Sequence, residues 1–253
     1  MDLQLKDKRC IVLGASRGIG RAIADGLAKE GANLAICGRD AASLQQAATE
    51  LRAQGVQVHA ATCDLADPAA LAKFLDHSRD ALGGLDVLVH NASALAVGPD
   101  LAAWEASLKV DLMAAVHACE RVIPWLAESG GGSILLVSSI SGLEVSPTPD
   151  FAYSTVKAAL IAYAKKLAIL HAAAGVRVNS IAPGSVEFPG GVWAQVHEHQ
   201  PGLYERVRAS IPRGRLGTPD EIADVAVFLC SPRAGWVTGE CVAVDGGQHK
   251  AMR

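Results

Sequence analysis

No run of basic residues appears anywhere in the chain, and its formal net charge is −3. A polyanionic partner such as nucleic acid is therefore not expected. No apolar stretch reaches the ~18 residues that a membrane span requires. The opening "MDLQLKDKRCIVLG" has no long apolar run behind its charges, which argues against a secretory signal. The six cysteines form no C-x-x-C pair and no metal-ligand spacing. Several fall in apolar runs, where a free thiol behaves as a small hydrophobe. Reduced thiols, a cytoplasmic location and no metal are the resulting expectations. No linker, repeat or low-complexity segment interrupts the 253 residues, so residues 1–253 are read as a single domain.

What is present is material for a large core. Half of the residues are hydrophobic and 19% are charged. Strand-like runs end or lie in "RCIVLG", "ANLAIC", "VQVHAAT", "LDVLVHNA", "SILLVSS", "VRVNSIAP" and "ECVAVDGG". Most are short and almost wholly apolar, as parallel strands covered on both faces must be. Alanine-rich, helix-like segments alternate with them. In "RAIADGLAKEG" and the residues just before it, Ile19, Ile23 and Leu27 share one helical face, and Gly31 is a natural stop. Such alternation means an α/β fold of βαβ units with right-handed crossovers. From Glu187 to about Arg208 the rhythm breaks. This stretch is long and irregular at first, as an insertion covering a site would be.

Residues 14–20, "GASRGIG", fit two chemistries. Gly14-Ala15-Ser16-Arg17-Gly18 matches the G-x-S-x-G elbow of a serine hydrolase. Gly14, Gly18 and Gly20 instead form a glycine-rich turn able to cradle a phosphate. The run follows a strand and leads into a helix, which a phosphate turn requires. An elbow so near the N-terminus would lack the earlier strands that supply an oxyanion hole. Ser16 is therefore read as a phosphate-turn residue. The spacing is neither G-x-G-x-x-G nor a P-loop, which needs Gly-Lys-Ser/Thr.

In "YSTVK", Tyr153 and Lys157 lie four apart in a helix-prone run and so share a face. A phenol ordinarily titrates near ~10, and a neighbouring ammonium favours its anion. Lowering a phenol to ~7 needs about 4 kcal/mol, at ~1.36 kcal/mol per unit. Alone, Y-x-x-x-K is the pattern of many surface pairs. Upstream, "ILLVSSISG" ends a buried strand with hydroxyls, where open α/β sheets bind ligands.

The glycine turn, the serine cluster and the Y-x-x-x-K helix together resemble the short-chain dehydrogenase/reductase family. "CDL" at 63–65, "HNAS" at 90–93, "IAPG" at 181–184 and "WVTGECVAVDGG" at 236–247 extend the likeness over essentially the whole chain. The resemblance implies a Rossmann-type, doubly wound, mainly parallel seven-stranded sheet with helices on both faces. It implies that Tyr153 exchanges the substrate proton, that Lys157 tunes it and holds the nicotinamide ribose, and that Ser139, three before Gly142, polarises the carbonyl. Ser141 is the alternative serine and a candidate substrate contact. Ser139 precedes Tyr153 by 14 residues, one more than expected, which places an insertion in "LEVSPTPDF". The family's helical asparagine is replaced by Asp111 in "SLKVDLMAA", and its "NNAG" reads "HNAS", with His90 and Ser93 as replacements. If only the backbone carbonyl at 111 matters, the aspartate is tolerated, and this is the expectation. If its charge reaches Lys157, it favours the ammonium and slows proton relay to Tyr153.

For the cofactor, the resemblance assigns Gly14, Ser16, Arg17, Gly18, Ile19 and Gly20 to the phosphate turn, Asp64 with Leu65 to the adenine, and Asn91 to the ribose side. Pro183, Gly184 and Val186 would line the nicotinamide, beside Tyr153 and Lys157. Chemistry favours NADP(H). After the second strand stands Gly38 and then Arg39, not a carboxylate, and two guanidiniums, Arg39 and Arg17, suit a 2′-phosphate. Phe188 and Trp193 are candidate substrate-pocket residues, with packing within the lid the alternative. His197 and His199 form an H-x-H without a third ligand and are not read as a metal site.

The expected activity is an NADP(H)-dependent interconversion of a small ketone and a secondary alcohol. A 3-oxoacyl-thioester reductase is the nearer rival, although "LAESGGG" and "LHAAAG" carry no Lys or Arg for an acidic carrier protein. A catalytically impaired nucleotide sensor would rest on Asp111 and Ser93 alone. Family analogy adds a homotetramer.

Overall fold

In the computed structural model, residues 1–145 and 148–252 are described. Each of the seven apolar runs becomes a strand: β1 (Arg9–Leu13), β2 (Asn33–Gly38), β3 (Val58–Thr62), β4 (Val87–His90), β5 (Gly132–Val137), β6 (Val176–Pro183) and β7 (Cys241–Val244). They form one sheet in the order β3-β2-β1-β4-β5-β6-β7. Every pairing between these strands is parallel, so the sheet is wholly rather than mainly so.

Side chains alternate between two cores. Cys10 and Val12 of β1 join one cluster, Ile11 and Leu13 the other. The first is closed by α1 (Gly18–Lys29), α2 (Ala41–Arg52) and α9 (Pro219–Cys230), the second by α3 (Pro68–Leu82), α5 (Ala114–Glu128) and α6 (Phe151–His171). Burial on both faces explains why the strands lack polar alternation. Ile23 and Leu27 are fully buried on the inner face of α1, Ile19 packs beside them, and Gly31 turns the chain at φ 82°. None of the helices is long and apolar enough to cross a membrane, among the described residues.

Two features set up the site. From β1 the strand order runs outward in both directions, and this reversal opens a crevice at the C-terminal ends of β1 and β4. Between α4 (Leu101–Ser107) and α5 lies a π-helical turn, Leu108–Met113. Such a turn inserts an extra residue into a helix and re-aims the side chains beyond it. Here Asp111 is turned fully inward.

The break expected from Glu187 is real only over its first few residues. Two helices follow, α7 (Val192–His199) and α8 (Pro201–Ser210), with Pro201 opening α8 at a position where its missing N–H costs nothing. Tyr204, Ile211 and Leu216 form a small core of their own, against which Trp193, Val196 and Val207 pack.

Candidate active site

The glycine turn is built by close approach. Gly14 adopts φ 78° and Gly18 φ 58°, conformations that side-chain-bearing residues rarely adopt. A Cβ on Gly14 would stand 2.9 Å from the Ala92 Cα, and one on Gly20 would collide with the Gly14 carbonyl and the Asn91 amide. Asn91 Nδ2 donates to the Gly14 carbonyl at 2.8 Å, and Asn91 N–H donates to Leu13 O at 3.2 Å. The side chain assigned to the ribose thus ties the end of β4 to the turn after β1. Arg17, the residue preceding α1, makes no side-chain cap. The first amides of α1 therefore remain open, which suits a phosphate group.

Phe188 and Arg17 make contacts across the fold that the sequence did not indicate. The Phe188 ring lies against Gly18, so close that a Cβ there would sit 2.5 Å from Cζ. Phe188 therefore walls the phosphate turn and packs on the core shared by α1 and α9. Arg17 Nη1 donates to the Gly190 carbonyl at 3.3 Å, joining the turn to the segment before α7. Trp193 packs against the small core of Tyr204, Ile211 and Leu216, which is the packing alternative named for it.

At the far end of the crevice, Arg39, Thr62, Cys63, Asp64 and Ala70 line a cleft of about 290 Å³. Asp64 Oδ1 takes the Ala66 N–H at 3.0 Å, and Leu65 is buried. Arg39 and Asp64 thus share a cavity, while Arg17 is committed elsewhere. On the other side, a Cβ on Gly184 would stand 2.7 Å from the Asp245 Cβ. Val186 is buried in the core shared with α1 and α9 and bridges in parallel to Gly217. The C-terminal segment also reaches this loop. Gln248 Oε1 accepts the Ser185 N–H at 2.8 Å, and its Nε2 donates to Ser185 Oγ at 3.0 Å. Sequence reasoning missed Gln248, because only the fold brings the chain end back to residue 185.

The catalytic candidates meet where β5 passes into α6. The three hydroxyls of "SSISG" divide the work. Ser138 Oγ donates to the Lys157 carbonyl at 2.8 Å, pinning α6 to the strand end. Ser139 precedes the 3₁₀ turn Ile140–Gly142, and its Oγ accepts the Ser141 N–H at 3.1 Å. A Cβ at Gly142 would stand 2.6 Å from the Lys157 carbonyl carbon, so only glycine lets this turn lie on α6. The loop insertion expected in "LEVSPTPDF" includes Ser146 and Pro147, which lie outside the described residues.

Lys157 is the largest fully buried side chain of the protein among the described residues. Its Nζ donates to Val137 O at 3.0 Å and stands 5.5 Å from the centroid of the Tyr153 ring. It is also 3.1 Å from Asp111 Oδ1, while Asp111 Oδ2 accepts the Ala94 N–H at 2.9 Å. Beyond its backbone carbonyl, Asp111 thus sets a carboxylate against the ammonium, so its charge reaches Lys157. The π turn aims the carboxylate at the ammonium. Next to the pair lies His90, wholly buried, with its own and the Val110 backbone as its polar neighbours. Burial, then the charge of Lys157, pushes His90 down to about 4, although Asp111 opposes the shift. His90 is therefore a neutral filler at neutral pH.

Across α7 and α8, His197 Nδ1 lies 3.1 Å from Glu187 Oε1, and Tyr204 OH donates to Glu187 Oε2 at 2.7 Å. The His197 and Tyr204 rings stack 3.9 Å apart. His199 Nδ1 instead contacts the Gln195 carbonyl at 2.9 Å.

A glycine turn, a strand-end serine and a buried lysine under a tyrosine define a dinucleotide-dependent class of α/β protein. Comparison with known proteins gives the family. Residues 14–249 match a family described as Enoyl-(Acyl carrier protein) reductase. The chain is 34% identical to isoepoxydon dehydrogenase of Penicillium expansum over 97% of its own length and 96% of that protein's. It superposes with a TM-score of 0.91 on a 7α-hydroxysteroid dehydrogenase complexed with NADH and 7-oxo-glycochenodeoxycholic acid, at 30% identity, covering 100% of this chain and 98% of that one. L-Sorbose reductase of Gluconobacter frateurii, complexed with NADPH and L-sorbose, gives a TM-score of 0.89 at 31% identity, covering 100% of both chains. The chain belongs to the short-chain dehydrogenase/reductase family, whose members are oxidoreductases that use a nicotinamide cofactor.

Proposed function

We propose that this protein is an NADP(H)-dependent oxidoreductase that interconverts a small ketone and a secondary alcohol. The observation that carries the reading is the buried Lys157 ammonium, held by Val137 O beneath the Tyr153 ring and beside the turn that starts at Ser139. In this reading Ser139 Oγ donates to the substrate oxygen, and Tyr153 OH gives or takes the proton there. Lys157 holds the nicotinamide ribose and favours the charged form of Tyr153. The nicotinamide, when bound, supplies or accepts the hydride. Water is excluded by the lid, which Glu187, His197 and Tyr204 brace from within.

The preference for NADP(H) is supported by Arg39, which lines the adenosine-side cleft next to Gly38, where a carboxylate would repel a 2′-phosphate. In this reading Arg17 adds to that recognition only after releasing Gly190. A homotetramer belongs to the same proposal and has the exposed Leu101, Leu108, Phe228 and Trp236 in its favour. A cytoplasmic location rests on the buried, free thiols of Cys10, Cys37, Cys63, Cys119 and Cys230.

A 3-oxoacyl-thioester reductase is the second reading, favoured by the acyl-carrier description of the matching family. One panel separates the two. NADPH and NADH consumption is followed with small ketones and with 3-oxoacyl thioesters. Turnover of ketones with NADPH supports the first reading, turnover confined to thioesters the second, and turnover of neither overturns both.

A further inference from the structure

Among the described residues, the ion pair buried on both sides is Asp111–Lys157, with side chains 0% and 2% exposed. Asp111 Oδ2 is satisfied by the Ala94 N–H, whereas Oδ1 makes no directed hydrogen bond and meets Lys157 through charge. The ammonium has a second fixed acceptor in Val137 O and lies 5.5 Å from the Tyr153 ring centroid. A lone ammonium at that place would strongly favour a phenolate. An ammonium paired at 3.1 Å with a carboxylate presents the field of a dipole, which falls off faster than that of a point charge.

We propose that Asp111 is a positioning residue for the Tyr153 proton: by compensating the Lys157 ammonium it keeps the phenol protonated to higher pH, so that carbonyl reduction stays active there. The inference rests on the oxidoreductase reading above. In that reduction the carbonyl carbon receives hydride from reduced nicotinamide and the carbonyl oxygen receives the Tyr153 proton. The products are the alcohol, oxidised nicotinamide and a phenolate that regains its proton from water. Asp111 leaves the overall equilibrium untouched, since an enzyme accelerates both directions together. What it moves is the pH at which each direction falls off.

The other titratable groups around the pair leave this compensation in place. His90, from β4, is neutral above about 4. Glu105 and Lys109, from α4 and the π turn, face each other at the surface. Glu144 takes the Lys250 backbone N–H, and Asp150 stands at the head of α6, its side chain making no cap there. Further along, between α5 and α6, burial pushes Cys119 up to about 12 and Tyr163 upward as well, so both are neutral.

The test compares wild type with Asp111→Asn, which keeps an acceptor for Ala94 N–H but removes the charge. Asp111→Ser serves as a second neutral variant, and Asp111→Glu as the charge-preserving control. Two readouts are taken between pH 5 and 10. The first is kcat/KM for ketone reduction with NADPH. The second is phenolate absorbance of the cofactor-free protein, isolated by subtracting the same variant carrying Tyr153→Phe. The neutral variants should show both midpoints moved to lower pH by about one unit, a tenfold change in proton concentration, and Asp111→Glu should restore them. A uniform loss of rate with neither midpoint moved would overturn the proposal and leave the pair a packing element. A shifted phenolate midpoint without turnover of any ketone would support the charge role and overturn the reaction proposed above.

Discussion

Two ion pairs stand at opposite ends of the same central strands, and they differ in what holds them. At the N-terminal ends of β1 and β4, Asp86 accepts from Arg9 N–H at 2.9 Å, Arg9 Nε at 2.7 Å and Arg9 Nη2 at 3.2 Å, with Lys8 Nζ at 3.5 Å. Every lone-pair direction has a donor, and both side chains still touch solvent. At the C-terminal ends, Asp111 and Lys157 are shut away from water, yet one carboxylate oxygen meets its partner without a directed bond. A saturated, half-exposed pair fastens strands. An undersaturated, buried pair beside an acid-base candidate costs desolvation and is retained where its field is used.

Lys157→Met should break this comparison most sharply. It strands the Asp111 carboxylate in the core and should destabilise the fold by about 3–5 kcal/mol. Adding Asp111→Leu should recover most of that loss in urea unfolding. Recovery of none would mean that Lys157 stabilises through Val137 O and packing instead of through charge.

Next in size is cofactor choice. The wild type should prefer NADP(H) by at least ~100-fold in kcat/KM, since each charge-assisted bond to phosphate contributes about 1.5–3 kcal/mol. Gly38→Asp with Arg39→Ala should reverse the preference. Arg17→Ala alone should weaken it less, because Arg17 already bonds Gly190. Equal use of both cofactors by the wild type would remove the phosphate role from Arg39.

The smallest effect belongs to the lower pair. Burial alone would push the Asp86 carboxyl up, but hydrogen bonds from the Arg9 side chain and backbone, then the charges of Arg9 and Lys8, hold it below its ordinary range. A carboxyl depressed on folding contributes stability above its unfolded value near ~3.9, and that contribution is lost as pH falls through the lower folded value. Asp86→Asn should therefore cost about 1–3 kcal/mol at pH 7 and progressively less below pH ~4. A cost that does not shrink in acid would show that shape, not charge, matters at that end.

How much of this was legible in the chain follows the same division. The five inner strands could be read because each had to be apolar on both faces, the partly exposed edge strands β3 and β7 by their short apolar runs, and Gly31 marked the end of α1 because its φ of 82° suits glycine. The glycine turn, Tyr153 and Lys157 carried spacing that survives without tertiary context. Asp111 was legible as a departure but not in its destination, since a π turn cannot be told from an α-helix by periodicity. The contacts of Arg17 and Phe188 were not legible because long or large side chains at a loop choose partners across the fold, here Gly190 and Gly18. Helices α7 and α8 are short, and their apolar faces cover only a small local core, so their pattern was weak.

The central claim is that Tyr153 moves the substrate proton at a site organised by Lys157. It is tested most directly by Tyr153→Phe, measured for NADPH affinity by fluorescence and for ketone turnover under saturating cofactor. A phenol proton needed only in the transition state should leave affinity within about twofold and lower kcat by ~10³ or more, about 4 kcal/mol of barrier. A Phe variant that keeps a third of the wild-type turnover would contradict the account.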